Sequence, residues 1–136
     1  MRELYTQVIM DHYKRPRNRG ELEDPDLQEH LLNPLCGDEV TVYAVFDGDK
    51  VVDVSFEGRG CSISQASASM MTEKLKGRTR EEAEKEIAAF KAMMVGEKAF
   101  PETDDLAALK GVIQYPSRIK CATLAWTALQ KGLARE

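Results

Sequence analysis

Apolar and polar positions divide the chain into a β-rich middle and helical flanks. Apolar side chains recur at helical spacing in residues 2–13, which predicts a first amphipathic helix. Residues 21–35 are polar and carry two prolines, so they predict an irregular loop. Two runs rich in β-branched and aromatic residues, 39–46 and 51–58, surround an Asp-Gly turn and predict a β-hairpin. A third short strand is expected to lead through residues 59–60.

The second half of the chain predicts helices. Small residues and methionines in 64–76 indicate a helix that Gly77 ends. The sequence Thr-Arg-Glu-Glu at 79–82 is a capping box and opens a further helix that runs to about residue 95. A short helix is expected at 104–109, and an apolar stripe predicts a last helix over 118–134.

Length and charge narrow the class of protein. A chain of 136 residues suits one α+β domain over residues 1–136, with a small antiparallel sheet covered by helices. The net charge of −4 argues against a nucleic-acid partner, because binding phosphates requires a basic surface. No apolar run approaches the roughly 20 residues of a membrane span, and the N-terminus lacks a signal-peptide pattern. We therefore expect a cytoplasmic protein with no membrane partner.

Three cysteines carry the candidate chemistry. An odd number cannot pair completely within the chain, and a reducing cytosol disfavours a disulfide framework. Buried small hydrophobes, a metal site or reactive thiols therefore remain open. Each cysteine lies at a junction of predicted elements: Cys36 before the first strand, Cys61 between the sheet and the small-residue helix, and Cys121 in the first turn of the last helix.

A metal site at this junction has chemical support. Zinc takes four tetrahedral ligands and accepts thiolate, imidazole and carboxylate. Cys36 and Asp38 flank Gly37, so one tight loop offers two ligands. A helix N-terminus lowers the pKa of a thiol placed there, and Lys120 beside Cys121 would add to that field. A carboxylate is easier to displace than a fourth thiolate, which favours a site that opens. The absence of a Cys-x-x-Cys pair keeps the buried-core interpretation open.

Four segments share a recognisable pattern: DHYKRPRNRG at 11–20, NPLCGD at 33–38, GCSISQASAS at 60–69 and KCATLAW at 120–126. In this order they resemble the IscU/SufU (NifU N-terminal-like) family of iron–sulfur cluster assembly proteins. The resemblance implies a three-stranded antiparallel sheet packed against about five helices. It also implies four ligands for a metal ion or cluster: Cys36, Asp38, Cys61 and Cys121.

The sequence departs from one branch of that family. IscU scaffolds usually carry a His before the third cysteine and a Leu-Pro-Pro-Val-Lys segment upstream, whereas this chain has Lys120 and a different sequence at 114–118. The region 90–111 also looks longer than in the scaffolds. These features resemble SufU, a zinc-dependent sulfur acceptor. The implied partners are a PLP-dependent cysteine desulfurase and downstream iron–sulfur assembly proteins.

The resemblance implies that Zn²⁺ is bound and that Cys36 accepts persulfide sulfur, with Cys121 as the alternative acceptor. The chain would then work as a sulfurtransferase-type acceptor beside the desulfurase, and not as a stand-alone turnover enzyme. One alternative is a scaffold that binds iron or builds a 2Fe–2S cluster on Cys36, Cys61 and Cys121. A second alternative is a purely structural zinc domain. His12 and His30 lack a supporting motif and are expected to face solvent or a partner.

Overall fold

The computed structural model describes residues 3–98, 100–101 and 103–135. Its elements in chain order are α1 (Glu3–Lys14), β1 (Leu27–Asn33), β2 (Asp38–Asp47), β3 (Lys50–Arg59), α2 (Ser62–Leu75), α3 (Arg80–Met94), a 3-10 helix (Asp105–Gln114) and α4 (Pro116–Arg135). The described residues thus form three strands and five helices, which confirms the predicted α+β class. None of the described helices combines the length and the apolar character needed to cross a bilayer.

The three strands form one antiparallel sheet in the order β1-β2-β3. The predicted hairpin is confirmed, since β2 and β3 pair directly across a tight turn that Asp47 and Lys50 close. The register shifts once between Val45 and Phe46, which marks a bulge near the hairpin end. The opposite ends of β2 and β3 therefore lie together, and this end of the sheet carries the candidate ligands.

The third strand is not where the sequence predicted it. β1 lies within 21–35, expected to be a loop, and β3 itself continues to Arg59 without a further strand after it. β1 is an edge strand whose two terminal residues, Leu27 and Asn33, are buried while alternate positions face solvent. Because its buried face also carries polar residues, the period-2 alternation is masked in the sequence. His30 is on the exposed face, as predicted.

The helices cover one another and the sheet in layers. α4 packs against β1 and β2, while α2 packs against β3 and α4. α2 is buried continuously from Ser64 to Thr72, because its alanines and serines allow close approach on all sides. α1 and the 3-10 helix pack against α2 from outside the sheet layer. The central position of α2 fixes where its N-terminus meets the sheet.

The helix that begins at the capping box agrees with the sequence, whereas two later helices differ from their predicted bounds. The capping box is confirmed, since the Thr79 hydroxyl oxygen accepts from the Glu82 N–H at 3.0 Å and the Glu82 carboxylate accepts from the Thr79 N–H at 2.9 Å. The short helix expected at 104–109 is a longer 3-10 helix. α4 begins at Pro116, a residue suited to the first helical position, so Cys121 lies in the second turn.

Trp126 connects α4 to its neighbours. Its ring stacks on Phe90 of α3 with the ring centroids 4.2 Å apart and the planes 9° apart. Its indole N–H donates to the Ser67 hydroxyl of α2 at 2.9 Å. All three side chains are fully buried. Trp126 therefore fixes the helix that carries Cys121 against two other helices.

We predict that Trp126→Ala lowers the free energy of unfolding by about 3–5 kcal/mol, the usual cost of deleting a large buried aromatic side chain. The lost stability has three sources: the cavity left in the core, the missing ring stack and the missing hydrogen bond to Ser67. Urea denaturation measures it, with Leu32→Ala as the control because Leu32 is exposed on β1. Equal losses in the two variants would contradict the role given to Trp126.

Candidate metal centre

The first two candidate ligands lie at the tight loop, residues 34–37, that joins β1 to β2. Asn33 and Asp38 are partners in the β-ladder, and the Cys36 N–H donates to the Asn33 carbonyl oxygen at 3.2 Å. Gly37 has φ +70°, a left-handed conformation that glycine adopts without steric cost. Cys36 is half-buried, while Asp38 is only 1% exposed. The loop therefore places one ligand near the surface and the other inside.

The Asp38 carboxylate lies against the N-terminus of α2. Its Oδ1 accepts a hydrogen bond from the Cys61 N–H at 2.9 Å and one from the Ser64 hydroxyl at 3.3 Å. A helix N-terminus attracts negative charge through its unpaired N–H groups. Gly60, at φ +148°, precedes this contact, and a side chain there would collide with the carboxylate. The junction of β3 and α2 thus fixes the orientation of Asp38.

Cys121 arrives from α4 and completes a compact group. The ligand atoms of Cys36, Asp38 and Cys121 all lie within 4.8 Å of one another. Zinc–sulfur bonds of about 2.3 Å in a tetrahedron separate neighbouring ligands by roughly 3.8 Å, so small side-chain adjustments suffice for a shared ion. The structure therefore gathers three of the four predicted ligands into one group that suits a metal ion.

Cys61 lies at the edge of this group and is not one of its three members. It lies between the sheet and α2, as the sequence predicted; it is the N-cap residue of α2, and its backbone N–H donates to Asp38. Its half-buried side chain lines a pocket that Arg118 also lines. The residue is therefore anchored beside the site, with a cation of the protein itself nearby.

Burial raises the pKa of the Cys121 thiol above its ordinary value, and hydrogen bonds with Asp38 and Cys36 act in the same direction. The nearby negative charges of Cys61 and Asp38 raise this pKa further. The sequence-based expectation of a lowered pKa is wrong for Cys121, because α4 begins earlier than predicted and the thiol is fully buried. Cys121 therefore keeps its proton until a cation displaces it.

Arg118 is a charged residue beside the candidate site that sequence reasoning missed. The negative charge of Cys61 and a hydrogen bond to it raise the pKa of Arg118, and Cys121 and Cys36 contribute further. Arg118 precedes Cys121 by three positions and shares its helix face, a spacing that could have identified it. Lys120 is exposed and, as the adjacent residue, is rotated about 100° around α4 from Cys121. A role for Lys120 in the field around the site stays a prediction.

His12 is buried, so the expectation that it faces solvent or a partner is wrong. It is 1% exposed, with Nδ1 2.8 Å from the Ser69 hydroxyl and Nε2 2.8 Å from the Asp105 carboxylate. Glu73 adds a second carboxylate to this cluster, and the Arg17 guanidinium lies 4.0 Å from the Glu73 carboxylate. These contacts give His12 an internal partner on each ring nitrogen. It connects α1 to α2 and to the 3-10 helix.

The fold and the site together define a class of protein. A small α+β domain brings thiols and one carboxylate to the point where a sheet end meets two helices. Thiolates favour zinc and iron–sulfur clusters, and the carboxylate is the more readily exchanged ligand. The chain matches the family model of the NifU-like N-terminal domain over residues 4–135. It belongs to this family, which confirms the predicted resemblance.

Individual members of this family and one solved structure are similar to the chain over most of its length. The chain is 52% identical over 135 residues to the zinc-dependent sulfurtransferase SufU of Bacillus subtilis, covering 98% of this chain and 91% of that protein. It is 42% identical over 137 residues to the iron–sulfur cluster assembly scaffold protein IscU of Streptococcus pyogenes, covering 99% and 86%. The crystal structure of FiSufU from Fervidobacterium islandicum AW-1 matches with a TM-score of 0.87 at 42% identity, covering 93% of this chain and 94% of that one.

We predict that Gly60→Ala weakens metal binding at least about tenfold, because displacing an orienting contact of a ligand typically costs 10–100-fold in affinity. The added Cβ would push the Asp38 carboxylate from its position. Competition with a chelator measures the affinity. Gly77→Ala is the matched control, since Gly77 also has a positive φ but open space around it. Equal affinities in the two variants would show that this contact does not orient Asp38.

We predict that the metal-free protein loses stability as pH rises above about 9, which is the ordinary pKa of a cysteine thiol. The folded state keeps the Cys121 proton where the unfolded chain has lost it, so the free energy of unfolding falls by up to about 1.4 kcal/mol per pH unit. Below that pH both states are protonated and the contribution is constant. Denaturant unfolding of parent and Cys121→Ala across this range measures it, and parallel curves would contradict the raised pKa.

Proposed function

We propose that this chain is a zinc-dependent acceptor of persulfide sulfur in iron–sulfur cluster assembly, supplied by a PLP-dependent cysteine desulfurase. The observation that carries the proposal is the placement of Cys36, half-buried on a glycine-containing loop, within the same ligand group as the buried Asp38 and Cys121. The 52% identity to a zinc-dependent sulfurtransferase supports it. Residues 1–136 act as one domain, since the sheet and helices share a single core.

Four residues would hold the zinc ion: Cys36, Asp38, Cys61 and Cys121. Cys36, Asp38 and Cys121 are already grouped. Cys61, whose backbone N–H donates to Asp38, supplies the fourth ligand in this proposal. Zinc, when bound, keeps cysteine sulfurs as thiolates near neutral pH and holds them in a tetrahedral arrangement. The pKa of the buried Cys121 thiol is raised, so this thiol needs a cation to lose its proton, and zinc on this donor set would supply one.

Cys36 is the acceptor in this proposal, since Cys121 is fully buried within α4. The Cys36 thiolate attacks the outer sulfur of the desulfurase persulfide, and a new S–S bond forms there. The S–S bond of the donor breaks, its cysteine leaves as a thiolate, and Cys36 carries the –S–SH group with the proton of the outer sulfur. The Arg118 guanidinium, near the three cysteines, stabilises the Cys36 thiolate before it attacks.

A scaffold function is the second candidate. The same three cysteines and Asp38 could ligate a 2Fe–2S cluster, and the 42% identity to an IscU scaffold favours that use. A purely structural zinc domain fits less well, because a structural ion is usually enclosed by four thiolate or imidazole ligands. Here one ligand is a carboxylate and another lies near the surface.

We predict that Cys36→Ala abolishes labelling of the protein by radioactive sulfur from cysteine in the presence of a cysteine desulfurase. The parent should hold zinc in equimolar amount, contain no acid-labile sulfide and speed desulfurase turnover. Anaerobic metal and sulfide analysis, with the turnover assay, provides these measurements. Cys121→Ala is the comparison variant for the alternative acceptor.

Labelling of Cys36→Ala at the parental level would refute the assignment and make Cys121 the acceptor. Iron and sulfide in equal amounts, with a visible chromophore, would favour the scaffold. A parent that holds neither zinc nor iron would show that the ligand group does not bind metal.

A further inference from the structure

Asn33 is a buried polar residue beside the ligands that has no part in the sulfur transfer described above. It ends β1 and is 5% exposed. Its side-chain Nδ2 lies 3.4 Å from Asp38 Oδ2 and 3.6 Å from the Cys121 sulfur. Its backbone carbonyl accepts the hydrogen bond from the Cys36 N–H. A single residue therefore contacts three of the candidate ligands.

The chemistry of the amide matches the metal-binding form of its neighbours. An asparagine NH₂ group offers two donors, whereas a carboxylate and a thiolate are acceptors only. The reverse orientation of the amide would set its oxygen against the Asp38 carboxylate, two acceptors facing each other, so the donor orientation is the favourable one. Both N–H groups then have an acceptor that is also a candidate ligand.

The two oxygens of Asp38 have separate partners. Oδ1 accepts from the Cys61 N–H and the Ser64 hydroxyl, both on the α2 side. Oδ2 faces Asn33. With Oδ1 held by the start of α2, the Asn33 contact fixes the rotation of the carboxylate about its axis. The remaining lone pair of Oδ2 can then serve a cation shared with the two thiolates.

We propose that Asn33 is a positioning residue of the metal centre: it orients Asp38 and Cys121 and sets how tightly the site retains its ion. The inference rests on the metal-binding part of the proposed function and is independent of sulfur transfer. Outer contacts of this kind typically change metal affinity by about 10–100-fold. Asn33 also closes the loop that carries Cys36, so it links the surface ligand to the two buried ligands.

We expect Asn33→Leu, which keeps a similar shape and removes both donors, to weaken zinc affinity by about 10–100-fold. Asn33→Ser keeps one short donor and should lose less, which also provides a second variant if the leucine impairs folding. Gln28→Leu is the control, because it makes the same change from amide to leucine at an exposed position of the same strand. Competition of the purified protein with a chromogenic chelator for zinc gives the affinities.

Two further readouts separate positioning from simple structural support. Cobalt substitution should shift the visible ligand-field bands in Asn33→Leu, since the ligand geometry changes. In an Asp38→Ala background, Asn33→Leu should change the zinc affinity less than it does in the parent protein, because the effects of residues that act together are not additive. Parental zinc affinity with lowered stability of the metal-free Asn33→Leu protein would overturn the proposal, as would full additivity with Asp38→Ala.

The same measurements distinguish this inference from the proposed function. A parent protein that binds zinc but accepts no sulfur would refute the sulfur-acceptor role and leave the Asn33 result standing. A parent protein that binds no zinc would overturn both.

Discussion

The carboxylate of Asp38 is a buried negative charge on which three parts of the molecule converge. β2 begins at this residue, the Cys61 N–H and the Ser64 hydroxyl at the start of α2 donate to its Oδ1, and Asn33 at the end of β1 contacts its Oδ2. Burying a charge is costly unless it is paired and hydrogen-bonded. Here hydrogen bonds satisfy the oxygens, and the two thiols of the same group would need a cation before both could lose their protons beside this carboxylate.

The rest of the fold brings the other candidate ligands near that charge. Cys36, Cys61 and Cys121 come from a strand loop, a helix N-cap and the second turn of another helix, so no local segment could form the site alone. The small side chains of α2 and the stacked Trp126 hold α4 close enough to the sheet for Cys121 to reach it. Cys36 lies on a surface loop, where in the proposed function its sulfur would meet the donor.

Local signals made much of this structure predictable, and long-range contacts account for what was missed. The β2–β3 hairpin and the Thr79 capping box depend on neighbouring residues and were recognised in the sequence. β1 was missed because an edge strand with polar residues on both faces hides its alternation. His12 was misassigned because its partners lie 57 and 93 residues away, and burial of that kind leaves no local pattern. The candidate ligands were predicted through a resemblance to a family, whereas the roles proposed for Arg118 and Asn33 required the folded geometry.

X-ray absorption at the zinc edge of the purified protein tests the central claim most directly. The proposed zinc centre should give three sulfur ligands at about 2.3 Å and one oxygen ligand at about 2.0–2.2 Å, with the oxygen supplied by Asp38. A shell of two sulfurs would show that Cys61 stays outside the coordination sphere. A spectrum with no sulfur neighbours would contradict the account, because the metal would then be bound elsewhere.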